Sequence, residues 1–124
     1  MSTPTVLAYN LSPERAARIR GLCAVWKLRF HAVPPEAFGE PVGALAGVLA
    51  PTGAPAPEAP FAEEMLVLCH LREQALQGFL HGFRRAAIPP VALKAVLTPT
   101  NAAWTAQALH DELRREHEAM QRQR

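Results

Sequence analysis

Four short apolar runs, each followed by a helical pattern, restrict this chain to an α/β fold. Thr5–Tyr9 and Met65–Cys69 are unbroken, as in strands covered on both faces of a sheet. Leu28–Val33 alternates apolar and polar residues like an edge strand, and Leu93–Leu97 is the fourth run. Because strands that alternate with helices usually pair in parallel through right-handed crossovers, we predict a three-layer α/β sandwich. Its small four-stranded parallel sheet would have the order 2-1-3-4, as in a shortened flavodoxin or receiver domain.

The helices have recognisable starts and apolar faces. Ser12 followed by Pro13 predicts the start of the first helix, and Asn101 predicts the start of the last. Gly78 and Gly82 lie inside the third helix, where they would allow a neighbouring element to approach closely. Two apolar stripes have the spacing i, i+3, i+4, i+7: Ile19, Leu22, Cys23 and Trp26, then Leu76, Phe79, Leu80 and Phe83.

Length and composition indicate a single domain that spans residues 1–124. Apolar residues make up 49% of the chain and charged residues 19%, which is ordinary for a globular protein. Residues 51–60 read PTGAPAPEAP, with four prolines and no periodicity. We therefore expect a stiff Pro/Ala-rich surface linker inside one domain rather than a boundary between two.

A cytoplasmic location is expected, without a membrane partner. The first ten residues lack the pattern of a signal peptide, and the apolar segment Val42–Ala50 is shorter than the ~20 residues a bilayer span needs. Cys23 and Cys69 have no metal-binding or redox spacing, so both thiols are expected to be reduced. The net charge of +2 gives no reason to expect a nucleic-acid partner, and the basic residues between positions 15 and 29 are interpreted as a solvated helix face.

The candidate ligand-binding residues follow the first, third and fourth strands. In an open parallel sheet, ligands bind beyond the carboxyl ends of strands, at the point where the strand order reverses. One interpretation is an anion at the amino end of the last helix, with Arg72 opposite it. The other is that Thr100 or Asn101 only caps that helix, while Pro99 shapes the turn. The candidates are Asn10, His70, Arg72, Thr98, Thr100 and Asn101.

No catalytic or metal-binding constellation is complete in the sequence. A receiver domain needs carboxylates where this chain has Tyr9-Asn10 and Cys69-His70. Neighbouring residues of a strand point to opposite faces, so Cys69 and His70 are poorly placed as nucleophile and base. His110 and His117 lie seven positions apart and are interpreted as part of a solvated helix face. We expect no metal and no cofactor, and we assign no catalytic residue.

Three glycines recur every four residues, at Gly39, Gly43 and Gly47. On a helix they would form one smooth face that allows close packing against the sheet. The alternative is that this face contacts a partner or a second copy of the chain, as in a homodimer.

Four segments together resemble the bacterial "domain of unknown function 3783" family. They are AFGEPVGALAG, EEMLVLCHL, LKAVLTPTNAAW and HDELRREHEAM, so the likeness covers nearly the whole chain. It is sharpest from Leu93 to Trp104. Members usually carry a glycine and then a serine where this chain has His70 and Arg72. The resemblance implies a small cytoplasmic bacterial protein of unassigned function, with no catalytic residues to transfer.

These observations favour a non-catalytic α/β module that binds a ligand or a protein and serves a regulatory role. Its partner would be an unknown protein or a small anion. The alternative is an enzyme that acts on a small phosphate- or carboxylate-bearing substrate at the C-terminal edge of the sheet. It would use Thr98, Thr100 and Asn101 together with Arg72 or His70.

Overall fold

The structure, a computed structural model, describes residues 3–123. Four strands form one sheet: β1 (Thr5–Tyr9), β2 (Arg29–Ala32), β3 (Met65–Cys69) and β4 (Leu93–Val96). The helices are α1 (Pro13–Val25), α2 (Val42–Leu45), α3 (Glu73–Arg85) and α4 (Ala106–Arg122). Two 3₁₀ turns, Pro35–Ala37 and Asn101–Ala103, precede α2 and α4.

The sheet has the predicted order, β2-β1-β3-β4, but it is mixed rather than parallel. β1 pairs in parallel with β2, and β3 pairs in parallel with β4. The central pair β1–β3 is antiparallel, with Thr5 opposite Cys69 and Tyr9 opposite Met65. The prediction of an all-parallel, flavodoxin-like or receiver-like sheet was therefore wrong. The physical reason lies between β2 and β3, where α2 is the only α-helix and is too short to form the helix of a βαβ crossover.

The two halves of the chain repeat the same backbone path. β1 and α1 recur 60 positions later as β3 and α3, with equal lengths of five and 13 residues. Leu7 pairs directly with its own counterpart, Val67. An approximate two-fold axis therefore passes through the centre of the sheet, perpendicular to it.

Backbone conformation follows this symmetry closely. Asn10 and His70 follow the equivalent strands with φ of 63° and 64°. Lys27 and Ala87 follow the equivalent helices with φ of 57° and 56°. These left-handed conformations are uncommon for residues other than glycine. Their matched occurrence shows that the two halves make the same turns at both ends of each helix.

Alternate side chains of the strands enter two separate cores, so the fold has three layers. Val6, Ala8, Leu66 and Leu68 pack against α1 and α3 on one face, together with Cys23. Leu7, Tyr9, Met65, Val67 and Cys69 face the second core, which Val42 of α2, Leu109 of α4, Phe38 and Phe61 complete. All residues of β1 and β3 are buried.

Gly78 and Gly82 of α3 allow a close approach by α1 and the residue that follows it, Trp26, as the sequence predicted. A Cβ atom added at Gly78 would overlap the indole ring of Trp26. One added at Gly82 would lie 2.5 Å from Cδ1 of Leu22. These glycines cost helix stability, roughly 1 kcal/mol each, and in return they let the two helices come into contact.

The proline-rich segment that begins at Pro51 contains no helix or strand, yet several hydrogen bonds connect it to other parts of the chain. The Glu40 carboxylate accepts hydrogen bonds from the backbone and hydroxyl of Thr52 and from the backbone of Gly53. The bonds from Thr52 hold the pKa of the Glu40 carboxyl below its ordinary value. At its far end Phe61 is buried, and its N–H donates to the side chain of Gln107.

Replacing Gly78 with alanine should lower the free energy of unfolding by roughly 1–3 kcal/mol, because the new methyl group displaces Trp26. Gly21 is the matched control, since an added Cβ has no neighbour within 4 Å there. Gly21→Ala should instead raise the free energy of unfolding by about 1 kcal/mol through helix propensity. Urea unfolding followed by circular dichroism measures both changes, and equal stability of the two variants would contradict this packing.

Candidate functional site

The antiparallel central pair separates the predicted site into two parts. The carboxyl ends of β1 and β2 lie at one edge of the sheet, here called the β1 edge, and those of β3 and β4 lie at the opposite, β3 edge. Asn10 follows β1, whereas the other five candidates follow β3 or β4. The expectation that Asn10 lies beside the other five candidates was therefore wrong.

Asn10 holds the segment that leads into β3 at the β1 edge. Its amide Nδ2 donates to the carbonyl oxygens of Phe61 (2.9 Å) and Glu63 (3.0 Å), just before β3 begins. Asparagine tolerates the left-handed conformation found here better than most residues do. Both hydrogens of the amide are thus used to hold the backbone of this segment.

Thr98 and Asn101 bind one another rather than projecting free polar groups. Asn101 Oδ1 accepts the N–H of Thr98 (2.8 Å), and Asn101 Nδ2 donates to the carbonyl of Val96 (3.0 Å). The N–H of Asn101 in turn donates to Thr98 Oγ1 (3.1 Å). Because Asn101 is also buried, this geometry favours a turn-shaping role for the pair.

The last helix starts later than the sequence predicted. Asn101 begins a 3₁₀ turn, and Thr105 caps α4 by accepting the N–H of Ala108 through its hydroxyl. Thr100 is exposed and makes no side-chain capping bond. The free N–H groups of α4 therefore lie beyond the Thr98–Asn101 turn that the sequence placed next to them.

His70 is the candidate that borders open space on two sides. Its Nε2 is buried and has no hydrogen-bond partner within residues 3–123. A cavity of about 320 Å³ lies on one side of His70, lined also by Val48, Leu97, Thr98, Pro99 and Ala102. A larger cavity of about 590 Å³ is called the His70 groove below. Besides His70, it is lined by Thr3, Pro4, Trp26, Lys27, Leu28, Arg72 and Ala75.

The His70 groove combines positive charge with apolar surface. Lys27 and Arg72 supply cations, and its lining residues include no carboxylate. Arg72 also occupies the N-cap position of α3, where free backbone N–H groups favour negative charge. Sequence reasoning missed Lys27 and Trp26, since a parallel sheet places the start of β2 at the other edge. The sequence feature that could have pointed to them is the recurrence of the strand–helix pattern after 60 residues.

Both thiols are poorly suited to nucleophilic chemistry. Burial raises the pKa of Cys23 to about 12 and that of Cys69 to about 12. Cys69 Sγ lies 3.7 Å from the carbonyl oxygen of Val67, on the side of the sheet that faces the second core. Since the thiolate is the reactive form, these groups are expected to be inert near neutral pH.

A buried histidine that the sequence placed in solvent holds α4 to the start of β3. His110 is only 3% exposed, and its ring stacks on Phe61 at 4.3 Å between centroids. Its Nε2 lies 2.9 Å from Glu63 Oε1, and its Nδ1 lies 3.0 Å from Asp111 Oδ1. The hydrogen bond from His110 lowers the pKa of the Asp111 carboxyl.

Residues 3–123 contain no cluster of three or more His, Cys, Asp or Glu arranged to hold a metal.

The three regularly spaced glycines do not form one helical face. Only Gly43 lies within α2, where a Cβ would meet the carbonyl oxygen of Ala102 at 2.8 Å. Gly39 abuts the backbone of Pro55, and Gly47 has a φ of 85° after the helix. Gly39 and Gly43 thus serve packing within the chain, and the homodimer through this surface stays a prediction.

Comparison with protein families matches residues 64–120 to the family described as "Domain of unknown function (DUF3783)". Residues 64–120 are therefore similar to the DUF3783 family. The matched range extends from just before β3 into α4 and contains the LKAVLTPTNAAW segment, whereas AFGEPVGALAG lies outside it. The DUF3783 segment is thus the second of the two repeated halves, with His70 and Arg72 inside it.

No curated protein and no solved structure matches the chain. Within residues 3–123, none of the helices has the length and apolar character required to span a membrane.

Replacing Asn101 with alanine should lower the free energy of unfolding by roughly 1–3 kcal/mol, because it removes the two hydrogen bonds that the buried Asn101 side chain makes to the backbones of Thr98 and Val96. Thr100→Ala, next to it and exposed, should change that free energy by no more than about 0.5 kcal/mol. Thermal and urea unfolding measure both. A stable Asn101→Ala protein would return Asn101 to the set of candidate ligand-binding residues.

Proposed function

We propose that this protein is a non-catalytic binding module whose ligand contacts His70 at the β3 edge. The observation that carries the proposal is the buried Nε2 of His70, which has no hydrogen-bond partner in the described chain. Leaving a buried polar group unpaired costs roughly 1–3 kcal/mol, so a ligand that pairs with it recovers part of this cost. His70 also lines the adjoining His70 groove, from which such a ligand would approach it.

The chemistry of the neighbouring groups supports binding rather than catalysis. A nucleophile requires a base within hydrogen-bonding distance or a lowered pKa. The Cys69 thiol has a raised pKa and lies in the second core, and Thr98 Oγ1 is engaged by the N–H of Asn101. His70 therefore stands at this edge without an activated partner group, which suits recognition of a ligand.

We place the module in the cytoplasm, in agreement with its cysteines. Cys23 and Cys69 are both free and lie in different cores on opposite faces of the sheet, where they do not pair. Reduced thiols of this kind are usual in cytosolic proteins.

The alternative function is an enzyme acting on a small anionic substrate. One observation favours it: Thr98 and His70 line the same smaller cavity. A proton acceptor and a hydroxyl on one cavity wall are two of the groups that acyl or phosphoryl transfer employs. Turnover in a phosphatase and transferase screen, abolished by both His70→Ala and Thr98→Ala, would establish the enzyme and contradict the binding module.

A fragment screen followed by ¹⁵N–¹H correlation spectra tests the binding module directly. The library should contain carboxylates, phosphates, amines and neutral alcohols in equal numbers. We expect saturable shifts at the amides of Lys27, His70 and Arg72, and an affinity about tenfold lower in His70→Ala, because one charge-assisted or buried hydrogen bond is lost.

His81→Ala is the matched control for this experiment, because His81 is an exposed histidine on α3. It should bind the same fragments with unchanged affinity. Shifts that cluster away from the β3 edge, or no saturable shift with any compound class, would contradict the proposed function.

A further inference from the structure

The approximate two-fold axis relates the His70 groove to an equivalent place at the β1 edge. The inference drawn below from the difference between the two rests on the proposed function. Positions 60 apart correspond, so Asn10 takes the place of His70, and Arg15 takes the place of Ala75. Ser12 and Arg72 are the equivalent N-cap residues of α1 and α3. The two edges therefore have the same backbone frame with different side chains.

At the β1 edge an arginine side chain spans the groove. Arg15 Nε and Nη2 lie 2.7 Å and 3.0 Å from the two oxygens of Glu64, and Nη1 donates to the carbonyl of Pro89 at 2.9 Å. One guanidinium thus connects α1 with the segments that lead into β3 and β4. A paired arginine and glutamate of this geometry close that edge.

At the β3 edge the corresponding residues leave the groove open. Ala75 stands where Arg15 stands in the other half, and Pro4 stands where Glu64 stands. A methyl group and a proline ring do not bridge the space that the guanidinium–carboxylate pair fills. The resulting volume of about 590 Å³ lies within the range of small-molecule sites.

The two edges differ in their charged residues. Two acidic residues at the β1 edge, Glu63 and Glu64, correspond to Thr3 and Pro4. Arg72 replaces the equivalent serine, and Lys27 replaces the equivalent alanine. At the β1 edge the carboxylate of Glu64 therefore pairs with Arg15. At the β3 edge Lys27 and Arg72 line the groove, and no carboxylate lines it.

We propose that the His70 groove binds a small molecule with one anionic group, a carboxylate or a phosphate, on an apolar body. The anion lies between Lys27 and Arg72, and it accepts a hydrogen bond from His70. The apolar body packs on Trp26 and Ala75 and takes the position that the Arg15 side chain has at the other edge. Charge complementarity selects the head group, and the absence of carboxylates from the lining disfavours cations.

Fluorescence of Trp26 provides the test, in a Trp104→Phe background where it is the only tryptophan. Four probes share one apolar body: 4-phenylbutyrate, 4-phenylbutyl phosphate, 4-phenylbutanol and 4-phenylbutylamine. We expect saturable changes with the first two and at least tenfold weaker binding of the alcohol and the amine. Whichever of the two anions binds more tightly identifies the head group.

Variants locate the binding and its cause. Lys27→Gln and Arg72→Gln should each weaken binding of the anionic probes by about tenfold, the effect of losing one charge-assisted hydrogen bond. Arg84→Gln, an exposed arginine on the same helix, should leave it unchanged. The double variant Pro4→Glu, Ala75→Arg rebuilds the pair of the β1 edge and should abolish binding while the protein keeps its melting temperature.

Two results would overturn this inference. Equal binding of the alcohol or the amine contradicts anion recognition while leaving a binding module in place, since the fragment screen includes neutral and cationic compounds. Anion binding that survives Lys27→Gln and Arg72→Gln places the ligand outside the groove. Should the double variant fail to fold, these single variants still decide the question.

Discussion

The antiparallel pairing of β1 with β3 is the interaction on which the rest of the structure depends. Both strands are buried along their whole length, and Leu7 pairs with its own counterpart Val67. This pairing joins two similar halves in one sheet, whose alternating apolar side chains enter two cores. It also directs the ends of the two halves to opposite edges of the sheet, so that each edge develops its own chemistry.

The two edges illustrate how one backbone frame supports different roles. The β1 edge is closed by polar contacts to the segment before β3: Asn10 binds its carbonyls, Arg15 binds Glu64, and His110 binds Glu63. The β3 edge lacks these contacts and presents cations beside an open groove. These polar contacts thus lie at one edge, and the open groove lies at the other.

Much of the fold follows from local sequence patterns, whereas strand direction does not. The four strands, their order, the start of α1 at Ser12 and the close approach at Gly78 were predictable, because each rests on periodicity, capping or residue size. A fully buried strand has the same apolar pattern in either direction, so the pattern of Met65–Cys69 carries no information about pairing sense. The sequence feature that bore on strand direction was the irregular segment before β3.

The wrong strand direction also limited the prediction of the site. His70 and Arg72 were selected from their position after a strand, and both line the His70 groove. Lys27 and Trp26 were missed because only the antiparallel arrangement brings the start of β2 to that edge. Burial of His110 also escaped prediction, since it depends on a distant residue, Phe61, stacking on its ring.

Cross-strand nuclear Overhauser effects test the central pairing most directly. The antiparallel register predicts backbone contacts between Thr5 and Cys69 and between Tyr9 and Met65, with Leu7 opposite Val67. A parallel pair would instead bring Thr5 next to Met65 and Tyr9 next to Cys69. Observation of that second set would contradict the two-fold arrangement and, with it, the separation of the two edges.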